Sequence, residues 1–431
     1  MIHPKLLVYS DDRIIDYTID WQYINHGIIK NISQLNKGIN ASSSTAEVTL
    51  SHDSPYTLPI LECERDLHAV LAEYEDPSNP IVHFTGYVSH DFTWTVDSHG
   101  TQAVKITLED VGTRLLSKPY TNSFSELISG TVSYCISAIC SRAGITAGSS
   151  ILNIPTVVST VAKEGETCQE LLNSLCKETG YAYYFNNAGQ LEIKALSTDN
   201  LSGVTTVDDS DLYDTIKLNK QARQYRGSMI SFNELETRSN TLVYRDITNQ
   251  SSSHKDCWIE LRANDYYPDG TDANHGTFID AVDLQEGKEV YAISNLNPEI
   301  VWTRGSGTSS ITLHGVQALE VAVKCTSTGS FNKAVVSKLQ AKADLTYVSA
   351  TTKVIGETEI GSKDYYEYDC RWLHTQTPAQ TFANFVAQYY LYCSREFTFK
   401  SKAKFQLGQI IKLHENLYSG LETYLIISTI K

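Results

Sequence analysis

At 431 residues, 41% hydrophobic and 20% charged, the chain is long enough for two to four domains with cores of their own, which excludes a disordered tail or a fibre repeat. A formal net charge of −15 argues against a general nucleic-acid binder, because such proteins draw most of their affinity from Lys and Arg neutralising phosphates. With 26 Tyr and 12 Phe against two Met, the composition favours strands over long helical bundles, and the expectation is a mainly β protein.

The start, Met1-Ile2-His3-Pro4-Lys5, lacks the apolar stretch of a signal peptide, and no run approaches the roughly 20 apolar residues of a membrane span. A soluble protein with no stable membrane insertion is expected. Its nine Cys, an odd number partly set in apolar helical patterns, fit assembly in a reducing cytosol.

The first 116 residues read as strands. Apolar and polar residues alternate at period two in Ala46-Glu47-Val48-Thr49-Leu50, again at Val82, Phe84, Gly86 and Val88, at Phe92, Trp94 and Val96, and at Val104, Ile106 and Leu108. Asp97-Ser98-His99-Gly100 suits a hairpin loop between the last two runs. This is the signature of a barrel or a sandwich.

From about Ser123 the period changes. Val132, Cys135, Ile136, Ile139 and Cys140 recur at three and four residue steps before Gly144, as on a helix ended by a glycine cap. Thr167-Cys168-Gln169-Glu170 has the capping-box form, in which the Thr oxygen and the Glu carboxylate each satisfy a free amide of the first turn. Cys168, Leu171, Leu172, Leu175 and Cys176 then form one apolar stripe, read as core rather than a redox site, and Gly180 closes the helix. A tight hairpin follows, from Tyr181-Ala182-Tyr183-Tyr184-Phe185 through Asn186-Asn187-Ala188-Gly189 to Gln190-Leu191-Glu192-Ile193-Lys194.

Residues from about 205 to 370 are again strand-rich. They begin with Asp208, Asp209, Asp211 and Asp214, and polar loops are expected at Asn249 to Lys255, Asn264 to Gly276 and Thr303 to Ser310. Near the end, Thr377-Pro378-Ala379-Gln380 combines an N-cap, a first-turn Pro and a capping-box Gln, and Phe382, Phe385, Val386, Tyr389 and Cys393 follow at helical spacing to about Arg395. Strands finish the chain around Phe397 and Phe399, Phe405 and Leu407, Ile410 to Leu413, and Tyr424 to Ile430. The expected architecture is mainly β with an α+β insert. A barrel-like β domain (1–120) and a second one (205–375) are joined by a helical and β-hairpin domain (121–204), with a C-terminal helix and strands (376–431).

No motif for catalysis, a cofactor or a metal stands out. The chain has no Cys-x-x-Cys pair, no His-Glu-x-x-His, no Walker loop and no Gly-x-Ser-x-Gly elbow. His254 and Cys257 have the spacing of a zinc half-site without a second ligand pair, and Asp265, Asp269, Asp272 and Asn274 lack the alternation and terminal Glu of a calcium loop. Arg304-Gly305-Ser306-Gly307 reads as a flexible loop before it reads as a phosphate cradle. Glu164 and Glu166 invite comparison with the paired carboxylates of a glycosidase, and the plainer reading puts both at the positive end of the helix beginning after Thr167. Lys400, Lys402 and Lys404 lie on one face of an expected strand, as a candidate interface for an acidic neighbour or nucleic acid, or as a solvated face guarding a sheet edge.

The segment Val161-Ala162-Lys163-Glu164-Gly165-Glu166-Thr167, the helix to Gly180 and the strands Tyr181 to Ile193 resemble the central part of the hub proteins of contractile-tail baseplates. That family includes the phage late-control D group and the hub part of type VI secretion spikes. Phe84-Thr85-Gly86-Tyr87-Val88, with the strands to Leu108-Glu109-Asp110, and Leu407-Gly408-Gln409-Ile410-Ile411 are also similar to it. The resemblance implies a homotrimer whose two barrel-like domains per subunit build a pseudo-sixfold ring at the virion tail tip. It further implies assembly in the host cytoplasm and contacts with a tail tube protein, baseplate wedge proteins and a separate spike protein, because no repetitive β-helix follows the hub part. DNA or an effector would cross an acidic lumen without adhering. The tip protein of a long non-contractile tail shares these features. A cell-wall hydrolase and a carbohydrate-binding module, the latter disfavoured by five Trp that do not cluster, are the readings from other classes.

Overall fold

The computed structural model describes residues 3–10, 13–17, 29–38, 44–51, 67–74, 81–96, 98, 102–196, 204–213, 216–221, 225–245, 250–252, 257–262, 290–304, 306–313, 315–316, 319–326, 334–357, 364–392, 395–403, 405, 407, 409–415 and 421–430. Asp97, His99 and Gly100 of the expected hairpin loop, Asp214, His254, Gly305, Cys393, Lys404, Gly408 and the whole expected loop Asn264 to Gly276, with Asp265, Asp269, Asp272 and Asn274, lie outside the described residues. The mainly β expectation holds.

Among the described residues seven strands open the chain: β1 (His3–Ser10), β2 (Arg13–Tyr17), β3 (Ile29–Gly38), β4 (Thr45–Ser51), β5 (His68–Tyr74), β6 (Ile81–Val96) and β7 (Gln102–Asp110). They pair antiparallel in the order β2-β1-β5-β6-β7-β4-β3. Period-two patterning places Ala46, Val48, Phe84, Val104, Ile106 and Leu108 in one buried cluster. At Gly86 a Cβ would stand 2.0 Å from the Glu109 carbonyl oxygen, so the approach of β6 to β7 requires glycine there. Between Val88 and Phe92 the register slips, and β5 no longer pairs with β6 beyond Tyr87. Past that bulge the alternation marks a surface: Trp94 and Val96 are each 56% exposed.

The buried Asp110 carboxylate joins this sheet to the helical unit. It accepts from the Ser44 amide at 2.5 Å and from Thr113 N at 2.8 Å, capping the short helix α1 (Val111–Leu115). Next come β8 (Glu126–Thr131), α2 (Val132–Ala143), β9 (Val157–Ala162), α3 (Cys168–Thr179), β10 (Tyr181–Phe185) and β11 (Leu191–Ala195). Gly144 and Gly180 end α2 and α3 at φ 80° and 75°, in the left-handed region that only glycine enters without strain. The Thr167 box is complete, with Glu170 N donating to Thr167 Oγ1 at 3.2 Å and Thr167 N donating to Glu170 Oε2 at 2.9 Å. The five stripe residues of α3 are buried, and so are the five of α2. The β10–β11 hairpin docks back on the first sheet: Thr85 Oγ1 donates to Asn187 O, and Gly112 lies against the Phe185 ring.

Strands β12 (Thr205–Asp208), β13 (Lys217–Gln221), β14 (Gly227–Arg245), β15 (Gln250–Ser252), β16 (Cys257–Arg262), β17 (Val290–Arg304), β18 (Ser306–Leu313), β19 (Leu319–Thr326), β20 (Ala334–Glu357) and β21 (Tyr365–Asp369) follow. The 24-residue β20 pairs with β14, β15 and β17, and β21 runs parallel to β14. The expected loop Thr303 to Ser310 is instead mostly strand. Ser306 to Ser310 pair in register with Thr326 to Ala322, while Gly305, at the centre of the candidate phosphate loop, lies outside the described residues. The ladder offered by the apolar β19 outweighs local polarity. Part of Asn249 to Lys255 is likewise strand β15.

Helix α4 (Gln376–Tyr392) begins two residues earlier than a cap at Thr377 would start it. Its first bond runs from Ala379 N to Thr375 O, so Thr375 occupies the cap position. Pro378 is still harmless there, because a first-turn N–H has no intrahelical partner to lose. Gln380 donates to Ile355 O rather than closing a box on Thr377. The helix crosses β14 and β20 closely: Ser228 Oγ donates to Ala383 O at 2.6 Å, and a Cβ at Gly356 would meet the same carbonyl oxygen at 2.3 Å. Ala379, Phe382, Ala383 and Val386 share one cluster with the α2 and α3 stripes, Ile230, Phe232 and Trp372. Finally β22 (Arg395–Thr398) pairs with β13, and β23 (Ile410–Glu415) lies between β12 and β24 (Leu421–Ile426). The two residues of β25 (Thr429–Ile430) return to Lys37 and Gly38 as the eighth strand of the first sheet. Its outermost strands, β2 and β25, do not pair, so the sheet is open among the described residues.

Leu172 is fully buried in the shared core, and Leu172→Ala is expected to cost about 2–5 kcal/mol, whereas Thr167→Ala, which removes one cap bond, costs about 1 kcal/mol. Urea unfolding of the two variants checks this order.

Candidate functional site

A polar cluster lies where the helices meet the long strands, on the strap Cys370 to Thr375 between β21 and α4. Its backbone laces two sheet edges together: Cys370 N donates to Ser231 O of β14 at 2.8 Å, and Trp372 O accepts from Ser159 N of β9 at 3.2 Å. Trp372 is fully buried and donates through Nε1 to Ser174 Oγ of α3 at 2.9 Å.

Arg371 spends its donors on β9 and the loop after it. Nε reaches Thr160 Oγ1 at 3.0 Å, Nη2 reaches Val161 O at 3.1 Å, and both terminal nitrogens hold the Glu166 carboxylate as a bidentate pair. Burial pushes the Glu166 carboxyl up. The hydrogen bonds from Arg371 and the Lys163 amide, with the charges of those two residues, overcome it and hold Glu166 below the ordinary carboxylate value.

Glu178, in the last turn of α3, is 2% exposed. It accepts from Arg371 N at 3.0 Å, Trp372 N at 2.8 Å and the Tyr368 hydroxyl at 3.1 Å. Burial nevertheless pushes its carboxyl up to about 6. The Lys177 ammonium lies 4.0 Å from the centroid of the Tyr368 ring.

His374 sits between the two sheet edges. Its Nδ1 is 2.8 Å from Asn233 O of β14, and Nε2 is 2.9 Å from Ser159 O of β9 and 3.1 Å from the Tyr291 hydroxyl of β17. Both ring nitrogens face a carbonyl oxygen: a neutral ring that donates Nδ1–H to Asn233 O can accept the phenol at Nε2 but then makes no bond to Ser159 O, and only the doubly protonated ring donates to both carbonyls. Burial lowers its pKa, and the surrounding backbone groups only partly offset that.

This arrangement holds elements together. A glycosidase acid needs a raised pKa in an open cleft. Glu166 is held low under Arg371, Glu178 is raised but enclosed, and Glu164 is exposed in the loop. The expectation that Glu166 serves the positive end of α3 is corrected: the guanidinium takes it, and Glu170 serves the cap. Among the described residues no group of three His, Cys, Asp or Glu is placed to hold a metal, and no helix is long and apolar enough to cross a membrane. Burial raises the thiol pKa of Cys168 and Cys176 in the α3 stripe, keeping both as neutral thiols of the core.

The lysine face is also altered. Strand β22 stops at Thr398, and the chain bends at Lys402 and Ala403, where Ser401 Oγ accepts from Ala403 N. Lys400 and Lys402 remain exposed, but the Lys402 ammonium donates to Ser210 O at 2.8 Å and lies over the Tyr213 ring. The acidic stretch at 208 to 211 thus meets the lysines through its backbone, with Lys402 N on Asp211 O.

Arg371, Glu178, His374 and Tyr291 escaped the sequence reading. One signal was available: Glu178 falls three residues after Leu175, on the buried stripe and at the negative end of the helix, where an acid is doubly disfavoured.

No known protein family matches the chain, and no curated protein matches it. Solved structures do. The 43 kDa tail protein of prophage MuSo2 from Shewanella oneidensis is 12% identical with a TM-score of 0.44, over 99% of this chain and 93% of that one. The tail protein from Neisseria meningitidis MC58 is 8% identical with a TM-score of 0.45, over 99% and 90%. The E. coli c3393 protein, a component of the type VI secretion system, is 10% identical with a TM-score of 0.27, over 70% and 76%. The similarity is to phage tail proteins.

The Glu166 and Arg371 side chains are 13% and 29% exposed, so Arg371→Ala is expected to cost about 2–4 kcal/mol, between the limits for surface and fully buried pairs. Lys105→Ala, which breaks the more exposed pair with Glu47, costs about 1 kcal/mol or less. Denaturant unfolding of both variants measures the contrast. Glu178 titrates at about 6 in the folded state against an ordinary 4.5, so its favourable contribution is complete below 4.5 and is lost as pH rises through 6. Relative to Glu178→Gln, the native chain is expected to lose about 2 kcal/mol between pH 4.5 and pH 7, as read by unfolding at each pH; His374, whose depressed pKa works in the opposite sense, is common to both proteins.

Proposed function

We propose that this chain is a structural hub subunit of a tail-tip baseplate, forming a trimeric, pseudo-sixfold ring that joins the tail tube to a separate central spike. The observation that supports the reading is the order of its elements around one core. An antiparallel sheet, a helix pair with a Tyr-rich hairpin, a long-stranded second β unit and a returning C-terminal strand succeed one another as in the hub resemblance, and the Thr167-capped helix is central to that core.

In this role the chain contacts its own copies, a tube protein, wedge proteins and the spike, and its work is to stay rigid while cargo passes. The net charge of −15 fits a passage that DNA crosses without adhering, since phosphates find few cations to neutralise them. The place of action is the virion tail tip after assembly in the host cytoplasm. Lys400, Lys402 and Lys404 are the proposed contribution of the lysine segment to a contact with an acidic neighbour or nucleic acid.

Three 48.0 kDa subunits make a particle of about 144 kDa. Mass photometry of the purified chain, alone and with its tube protein, is expected to show that species; monomers under both conditions would count against the ring.

A further inference from the structure

The three long strands of the second β unit change register together at one level. Arg238 faces Leu345, but Thr241 faces Ala343, so β14 carries an extra residue opposite Asp344. On the other side of β20, Ser294 faces Asp344 and Asn297 faces Lys342, so β17 carries an extra residue beside the same position. Each bulge contains an asparagine in the left-handed region, Asn240 at φ 54° and Asn295 at φ 52°. The Asp344 carboxylate holds both: Oδ1 accepts from Asn240 N at 3.0 Å, and Oδ2 accepts from Asn295 Nδ2 at 2.7 Å. The Asn295 and Asn240 hydrogen bonds, with one from Ser239, hold its pKa below the ordinary aspartate value.

Below this level the strands are anchored. Ile230, Phe232 and Val354 lie in the core shared with the helices, and β20 passes under α4 at Gly356. Above it the outer arm, Thr241 to Arg245, Asn297 to Arg304 and Ala334 to Ala343, stays paired across further register shifts at Leu242/Tyr244 and between Val301 and Arg304, which no shared side chain among the described residues bridges from both sides. A paired bulge breaks ladder bonds on both sides of β20 at once, and one side chain replaces them.

We propose that Asp344 is the lock of a hinge between the anchored base of the long strands and their outer arm. With the carboxylate bound to both asparagines the three strands behave as one stiff sheet. Without it the arm pivots about Asn240 and Asn295 while its own pairing survives. The device goes beyond the hub reading and does not depend on it.

Amide hydrogen exchange of the full chain tests this. In Asp344→Ala, exchange at 239–241 and 294–297 is expected to rise tenfold or more, while the arm at 334–342 and the base at 227–232 keep native protection. Asn240→Gly retains the left-handed backbone and the amide that Asp344 accepts, and is expected to match the native chain; Asn295→Ala gives a smaller rise confined to 294–297. Unchanged exchange in Asp344→Ala and Asn295→Ala overturns the lock. Loss of protection through the whole arm in either variant overturns the hinge, because the arm then melts rather than pivots.

Discussion

The fold turns on a single side chain. The Arg371 guanidinium binds Glu166, Thr160 and the Val161 carbonyl, while its own amide, with that of Trp372, feeds the enclosed Glu178. Two carboxylates drawn from the two ends of α3 are thereby fixed to one strap. A buried charge without such partners would cost several kcal/mol, so the strap, β9 and α3 are obliged to keep one mutual geometry. His374 extends the constraint to the edge of β14, and the tryptophan between them fills the core beneath.

That constraint explains why elements far apart in sequence share one core. Residues from α2, α3, the β10–β11 hairpin, β14, β20 and α4 enter one apolar cluster, and the polar strap closes the side of it where two sheets end. The hairpin and Asp110 carry the rigidity on to the first sheet, and the last strand returns to that sheet's edge. A chain built this way transmits position from one β unit to the other. No comparable organisation around a reactive group occurs among the described residues: the perturbed acids are clamped or enclosed.

Local structure was legible wherever one short rule decides it. The α3 helix could be read to the residue because its cap, stripe and glycine stop are local chemistry, and the hairpin after it because Asn186 to Gly189 is turn chemistry. The start of α4 was read two residues late because two threonines compete for the cap, and the choice falls to the strap that Thr375 ends. Ser306 to Ser310 read as a loop because a polar strand is visible only once its partner β19 is known. The Arg371 cluster was hidden for the same reason. Its members lie up to 215 residues apart, and only the acid on the buried face of α3 marks the sequence. The paired register shift at Asp344 has no local signature beyond two asparagines.

The central claim, that this chain is a structural piece at the end of a tail, is tested most directly by immuno-electron microscopy of intact particles, using antibody raised against the purified protein. A single focus of label at the tail end distal to the head, or at the tip of a headless particle, is the predicted result. Label spread along the tail, label on the head, or particles without any label while the protein stays in the soluble fraction would contradict it.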